Sequence, residues 1–555
     1  MRISPKWGWF AAYAALFAVC AAFVFWGTWS TGVSPVMPDC PISHPEGWWA
    51  NVSAFLREWV RTGLFSPDDL KAFAGAPYFL QELQYAVPAF LAGLAVAYYC
   101  RGRGLSRLAS YSAGIFLSLS GYWFTLFSAG HLGWFRWMTY GVFAFGLADR
   151  AVRHGRLRHW LLLGAVVGWA SFRQQDLWLI FTLFTGAYFV WCCVREHALP
   201  WKGALLAALA FALVGAPGVM ASLREVAGRE KQMESAGVNA GKADAGAAAA
   251  EKSEAERKAE REKQWIFVTN WSLPSDEICE IFSSRGKGDT SCPYVLSIGA
   301  RTGSGVKPYT GALGRPYGAK EGNYRQHSLY VGWVTCLLAL VGAVAAFRRR
   351  EGDALFFLAA AVLAVALSLG RYFEPLYRCV FALPVGDLVR CPVKWIHLAE
   401  LSLAVLAAYG IDFVASLAAK KGEAARKVAL CALGAMAVVG AFDLARVDRL
   451  YCAPVDLKEA RRTDSSMQLT FLRTQDFSSP QVAEMMRLKR IVSLARLPWN
   501  PDVYLVEVLT PRQKDAPSAP WDVNSSAVAL GIVSLLGTLA VAAVSLSRLG
   551  KKELT

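Results

Sequence analysis

The sequence predicts an all-α polytopic membrane protein of about 12 transmembrane helices with small mixed α/β loop regions. Three observations predict it: long apolar runs, basic clusters in alternate connections, and long polar segments confined to the remaining connections. A spanning helix needs about 20 apolar residues, because each residue rises about 1.5 Å through about 30 Å of hydrocarbon. Runs close to this standard lie at 8–27, 84–100, 108–128, 132–148, 159–172, 176–194, 203–222, 328–347, 354–370, 395–417, 427–444 and 526–547. The fifth is short. Met1 to Gly27 has a basic start and a long apolar stretch without a distinct small-residue cleavage site, so it reads as an uncleaved first span.

Of the 555 residues 55% are hydrophobic, and 58 Lys plus Arg exceed 42 Asp plus Glu. The mean hydropathy is +0.32. In a soluble chain a charge of +16 would suggest a polyanionic partner. Here the excess sits in short clusters between apolar runs, which points to membrane topology and away from nucleic acid.

Arg2 and Lys6 precede the first span, and Arg101, Arg103 and Arg107 follow the second. Arg150, Arg153, Arg156 and Arg158 follow the fourth, and Arg195 and Lys202 the sixth. Arg348, Arg349 and Arg350 follow the eighth, Lys420, Lys421, Arg426 and Lys427 the tenth, and Arg548, Lys551 and Lys552 the last. These connections are expected to face the cytoplasm, with both termini inside and the large loops extracytoplasmic.

The expected organisation is then a transmembrane module at 1–222 with its first external loop at 28–83. An external loop at 223–327 follows, then spans eight to eleven at 328–444, an external subdomain at 445–525, and the last span and tail at 526–555. Within the second loop, 228–264 is rich in Ala, Glu, Lys and Arg and reads as a solvated helix or a disordered insert. The alternation Val503-Tyr504-Leu505-Val506-Glu507-Val508 predicts a strand in the third.

Cys40, Cys279, Cys292, Cys379, Cys391 and Cys452 fall on the external side, where disulfides form. Cys279 with Cys292 and Cys379 with Cys391 are the preferred pairs by proximity, with free thiols as the alternative. There is no CxxC, no HExxH and no Cys/His spacing that indicates zinc.

Ionisable residues near a bilayer interior are costly and therefore functional candidates. Asp39, between Pro38 and Cys40-Pro41 after the first span, is a candidate general base for an acceptor hydroxyl, or an ordinary loop acid. His131 and Arg136 flank a short external turn; they suit a phosphate, or equally an interfacial His and a snorkelling Arg beside Trp134 and Trp137. Arg173 and Asp176 adjoin the short fifth run and line a wet cavity or pair with one another. Arg390, Lys394, His397 and Glu400 enter span ten, the last three on one helical face. Two basic side chains at a helix entrance fit a phosphate; the alternative is an interhelical ion pair. All these sites fall on one side of the membrane, which argues for a single outward cavity.

Several segments, in order, resemble one family. They are an external Asp loop, Arg61-Thr-Gly63, Gly75-Ala-Pro77, Ala129-Gly-His131 and Asn270-Trp-Ser-Leu-Pro-Ser-Asp-Glu277. Tyr309-Thr-Gly311, Ser328-Leu-Tyr-Val-Gly332 and Leu388-Val-Arg-Cys-Pro392 follow. The chain resembles, over nearly its whole length, the YfhO-type membrane proteins of the GT-C glycosyltransferase superfamily.

The resemblance implies an inverting enzyme of the outer face of the cytoplasmic membrane. It would take a sugar from a polyprenyl-phosphate donor and pass it to an envelope glycan, lipid, teichoic-type polymer or protein. Asp39 matches the family's loop acid, which acts as base or helps position a divalent cation, Mg²⁺ or Mn²⁺. The usual Gly-Asp is replaced by Pro38-Asp39. No Walker motif and no strand-linked GxGxxG is present, as expected when the donor is lipid-linked. Two other classes remain in view: a 12-span transporter or flippase of lipid-linked saccharide, and a non-catalytic GT-C-like scaffold.

Overall fold

The computed structural model describes residues 5–31, 78–121, 132–171, 175–237, 254–283, 287, 312–313, 329–383, 386, 389–447, 465–487, 491–497, 500–511 and 525–547. The protein is mostly helical, and several helices are long and apolar enough to cross a membrane. The N-terminal half carries α1 (Pro5–Thr31), α2 (Tyr78–Gly102), α3 (Arg107–Ser118), α4 (Leu132–His154), α5 (Leu157–Ala170), α6 (Gln175–Arg195) and α7 (Trp201–Gly237). After these come α8 (Glu254–Val268), α9 (Trp333–Arg349), α10 (Gly352–Ser368), α11 (Glu374–Phe381), α12 (Ile396–Ala419) and α13 (Glu423–Val447).

A strand β1 (Ser465–Arg473), helix α14 (Pro480–Arg487) and strands β2 (Ile491–Leu497) and β3 (Asn500–Pro511) precede α15 (Ser525–Ser547). The strands form one antiparallel sheet of order β1-β3-β2. Val506 of β3 is its buried centre, packed by Phe477, Met485 and Ile491.

Each of the twelve apolar runs contains helix, although α3 ends at Ser118, inside the run 108–128. Among the described residues six helical segments meet the length and apolarity of a span: Gly8–Phe25, Asp176–Arg195, Trp201–Met220, Pro392–Ala419, Glu423–Val447 and Val528–Ser545. The pair α10 and α11 meets it jointly but is bent by 107°. Helix α7 runs past the apolar stretch that ends at 222, as far as Gly237, and α8 begins at Glu254. The Ala/Glu/Lys/Arg composition carries high helix propensity and extends the helix after apolarity ends.

Helix α12 is the centre of the bundle, touching α3, α9, α10 and α13. From Ile396 to Gly410 only Leu403 is not fully buried. It reaches α9 through two glycines. A Cβ on Gly342 would collide with the Leu406 carbonyl oxygen, and one on Gly410 with that of Leu338. Small residues allow such backbone approach in an apolar medium, where close packing drives association. Gly342→Ala is expected to destabilise the fold by about 3 kcal/mol, the upper end for overpacking. The thermal midpoint of the detergent-solubilised protein, followed by tryptophan fluorescence, checks this.

One end of the bundle is knitted by charge. Arg103 and Arg195 both bind the Asp353 carboxylate, which also accepts from Trp191 Nε1 at 3.1 Å. Asp149 faces Arg103 and Arg195 at 3.4 Å and Arg153 at 3.3 Å, and accepts from the Tyr188 hydroxyl. Nearby, Asp412 of α12 accepts from the Ser106 amide at the start of α3, and Arg150 stacks on Tyr98. Thus the connections after α2, α4, α6 and α9 meet at one end.

Candidate functional site

At the opposite end the chain brings together segments that are remote in sequence. Asp176 lies in the first turn of α6, where the helix dipole favours a carboxylate. Its Oδ1 accepts from the Leu177 amide at 2.9 Å, and its Oδ2 holds Lys394 Nζ. Lys394 stands on a 3₁₀ turn, Pro392–Trp395, that leads into α12. Proline suits this first turn because it has no N–H to satisfy. One turn on, His397 Nδ1 lies 3.0 Å from Glu400 Oε2, while Glu400 Oε1 accepts from Ser120 Oγ at 2.7 Å. Glu400 therefore ties α12 to the end of α3.

Backbone strain marks the entrance to this turn. Cys391 (φ 59°) and Trp271 (φ 56°) both occupy the left-handed region, which costs roughly 1–3 kcal/mol for a residue with a side chain and persists only where surroundings over-determine it. Here they do. The Cys391 amide donates to Val268 O at 3.0 Å, and the Val393 amide to Trp271 O at 3.1 Å. Leu273 N donates to Ser368 O, and Arg371 N to Ser272 Oγ. Between them Gly370 takes φ +48° against Ser272 and Pro392, where a Cβ has no room. Tyr377 closes the far side by donating to Val389 O.

Two further segments join. The Gly121 amide donates to Tyr330 O at 2.7 Å, the Tyr330 hydroxyl binds Asp443 of α13, and Val331 N donates to Ile281 O. Buried Glu277 accepts from the amides of Ala312 and Leu313 at 2.6 and 3.1 Å, directly after the Tyr309-Thr-Gly311 segment. Beside it Lys287 donates to Asp276 at 2.7 Å and holds that carboxyl below its ordinary range.

Of the residues singled out from sequence, Asp176, Lys394, His397 and Glu400 come together as two buried pairs. Lys394 and Asp176 side chains are 2% and 8% exposed, and His397 and Glu400 are fully enclosed. In this structure Lys394 forms an interhelical ion pair with Asp176, the alternative to phosphate binding, and His397 lies against Glu400. For Lys394 and Asp176, pairing neutralises charge that burial would otherwise make prohibitive.

Arg390 differs. It is half-buried at the rim, with its guanidinium 5.3 Å above the exposed Phe267 ring. Asp39, His131, Arg173 and Cys292 lie outside the described residues, and Arg136 falls in α4.

The preferred disulfide between Cys379 and Cys391 is absent. Cys379 is exposed on α11 with its thiol toward Pro375 O, while Cys391 is buried in the left-handed turn. Cys279 also keeps its thiol, 3.5 Å from Asp276 O. Among the described residues no group of three or more His, Cys, Asp or Glu side chains is placed to hold a metal. Asp176 and Glu400 are already committed to Lys394 and to Ser120 with His397, so they do not fit as cation ligands.

Sequence reasoning missed Ser120, Glu277 and the Asp149/Asp353 network. The available signal was an acid beside each basic cluster, in Asp149-Arg150 and Gly352-Asp353. No protein-family model matches the chain, and neither a curated protein nor a solved structure matches it.

Proposed function

We propose that the chain is an inverting, polyprenyl-phosphate-sugar-dependent transferase of GT-C type. It would cross the cytoplasmic membrane about twelve times, with both termini inside and its large loops outside. One observation carries the reading. Segments containing Asn270–Glu277, the residues after Tyr309-Thr-Gly311, Tyr330–Gly332 and Val389–Pro392 all meet at one end of the bundle, beside Arg390, opposite the end that gathers the basic connections. Convergence of motifs separated by over a hundred residues supports a built site.

In this reading Asp39 takes the proton of an acceptor hydroxyl as that oxygen attacks the anomeric carbon. The bond from that carbon to the lipid phosphate breaks on the opposite face, and the phosphate departs as an anion beside Arg390. Fixed charge at the leaving group and positioning of the acceptor supply the catalysis.

The test is transfer of radiolabelled sugar from a synthetic polyprenyl-phosphate donor by the purified full-length protein in nanodiscs with envelope acceptors. Arg390→Gln is expected to raise KM for the donor about 10- to 100-fold, the usual worth of a hydrogen bond to a charged group. Donor consumption no greater than in protein-free nanodiscs would overturn the proposal.

A second reading has its own observation. The Arg103–Asp353–Arg195–Asp149 network resembles a closed gate at one face of an alternating-access carrier. A flippase would move lipid-linked saccharide across proteoliposomes without cleaving it, and loosening the network by Asp353→Asn would change that rate.

A further inference from the structure

We infer that the turn between α4 and α5 binds a phosphate group, carried by a lipid headgroup or by a soluble ion. Its sequence is Arg150-Ala-Val-Arg-His-Gly-Arg-Leu-Arg-His159, at the end of the bundle that gathers the basic connections. The acid beside it, Asp149, is already faced by Arg103, Arg153 and Arg195. Arg150 bonds the Tyr98 carbonyl at 3.1 Å and stacks on the Tyr98 ring, and both partners are neutral. Arg156 is exposed and Arg158 half-buried. Among the described residues Arg150, Arg156 and Arg158 have no carboxylate within ion-pair distance. The turn therefore keeps its positive charge.

Two independent features point this charge at a ligand. Helix α5 opens at Arg156 without a side-chain cap, which leaves its first amides for an anion. The third residue of that helix, His159, is only 4% exposed, and its Nδ1 has no hydrogen-bond partner among the described residues. The other ring nitrogen meets the Arg150 carbonyl. A buried polar atom is rarely left without a partner, and a charged imidazole donates from both nitrogens. The His154 ring lies 6.0 Å from that of His159. Gly155 between them, at φ 60°, has open space where a side chain would stand. A phosphate seated there takes bonds from the α5 amides, from Nδ1 and from the arginines. Nearby, Gly203 of α7 packs so closely on Trp160 of α5 that a Cβ has no room. That contact sets Trp201, 61% exposed, and Lys202, 5.5 Å over its ring, next to the turn. An exposed tryptophan at a helix start marks the level of lipid headgroups.

The turn lies at the opposite end from Arg390, so the inference stands apart from the transferase reading. Two arms on the full-length protein in detergent test it and separate the sources. Native mass spectrometry measures retained phosphatidylglycerol, and titration calorimetry measures inorganic phosphate; the arm that responds to the variants names the source. Arg156→Gln with Arg158→Gln is expected to weaken binding about thirtyfold, at the usual worth of an arginine near an anionic group. His159→Gln keeps a polar group near the Arg150 carbonyl and removes Nδ1. It is expected to weaken binding about tenfold, the usual worth of a hydrogen bond to a charged group. Thermal midpoints should hold in the arginine pair, whose side chains bear on no buried partner. Lys420→Gln with Lys421→Gln removes the same charge from another basic connection and should leave binding unchanged. Insensitivity of both arms to the arginine pair, or equal loss in the lysine control, overturns the inference.

Discussion

Asp39→Asn is expected to lower sugar transfer by about 10²- to 10⁴-fold, the range contributed by a positioned general base. The protein should still insert and retain its thermal midpoint, because asparagine keeps the size of the side chain and position 39 falls outside the apolar runs of the sequence. The reasoning is differential. A carboxylate that accepts a proton as the acceptor attacks does work only in the transition state, so kcat falls while donor KM holds. Arg390→Gln, in contrast, acts on donor binding. Single-turnover transfer at saturating donor separates the two, and undiminished turnover in Asp39→Asn would remove Asp39 from the mechanism.

The second large effect concerns folding. Lys394→Met is expected to destabilise the protein by about 3–5 kcal/mol, because it leaves the Asp176 carboxylate buried without its cation. Methionine preserves the length of the stem, so lost volume contributes little. Adding Asp176→Leu should restore most of the loss, since exchanging both members of a buried pair for apolar groups is often neutral or favourable. The two single variants and the double variant, compared by thermal midpoint in detergent, form a cycle that isolates the pair. If Lys394 served a ligand instead, Lys394→Met would leave the midpoint unchanged and Asp176→Leu would rescue nothing.

The sequence made the helices legible because a span is a local property: composition over about 20 residues is enough to identify it. It also singled out Asp176, Lys394, His397 and Glu400, because ionisable groups in apolar surroundings stand out without knowledge of their partners. The partners were not legible. Asp176 and Lys394 are 218 positions apart, and Ser120 and Glu400 are 280 apart. Nothing in the local pattern near one reports the other.

The same limit hid the opposite end. Arg103 and Arg195 register in a linear reading as markers of sidedness, yet both are bound to Asp353 and face Asp149. Cys379 and Cys391 mislead in the reverse sense. Twelve positions of separation suggest a bridge, but α11 turns one thiol outward while the strained entrance to α12 buries the other.

The last helix, α15, does not pack at the end of the chain. It lies against α5 and α7, where Ser534 Oγ donates to Val214 O at 2.7 Å and Trp169 Nε1 donates to Thr538 Oγ1 at 3.0 Å. Val214 and Ser534 are 320 positions apart. At a synthesis rate of 5–20 residues per second, α5 and α7 wait about 15–65 s for the helix that covers them. During that interval the groove between them is open to lipid or to a holding factor, and ribosomal pausing late in the message would prolong it.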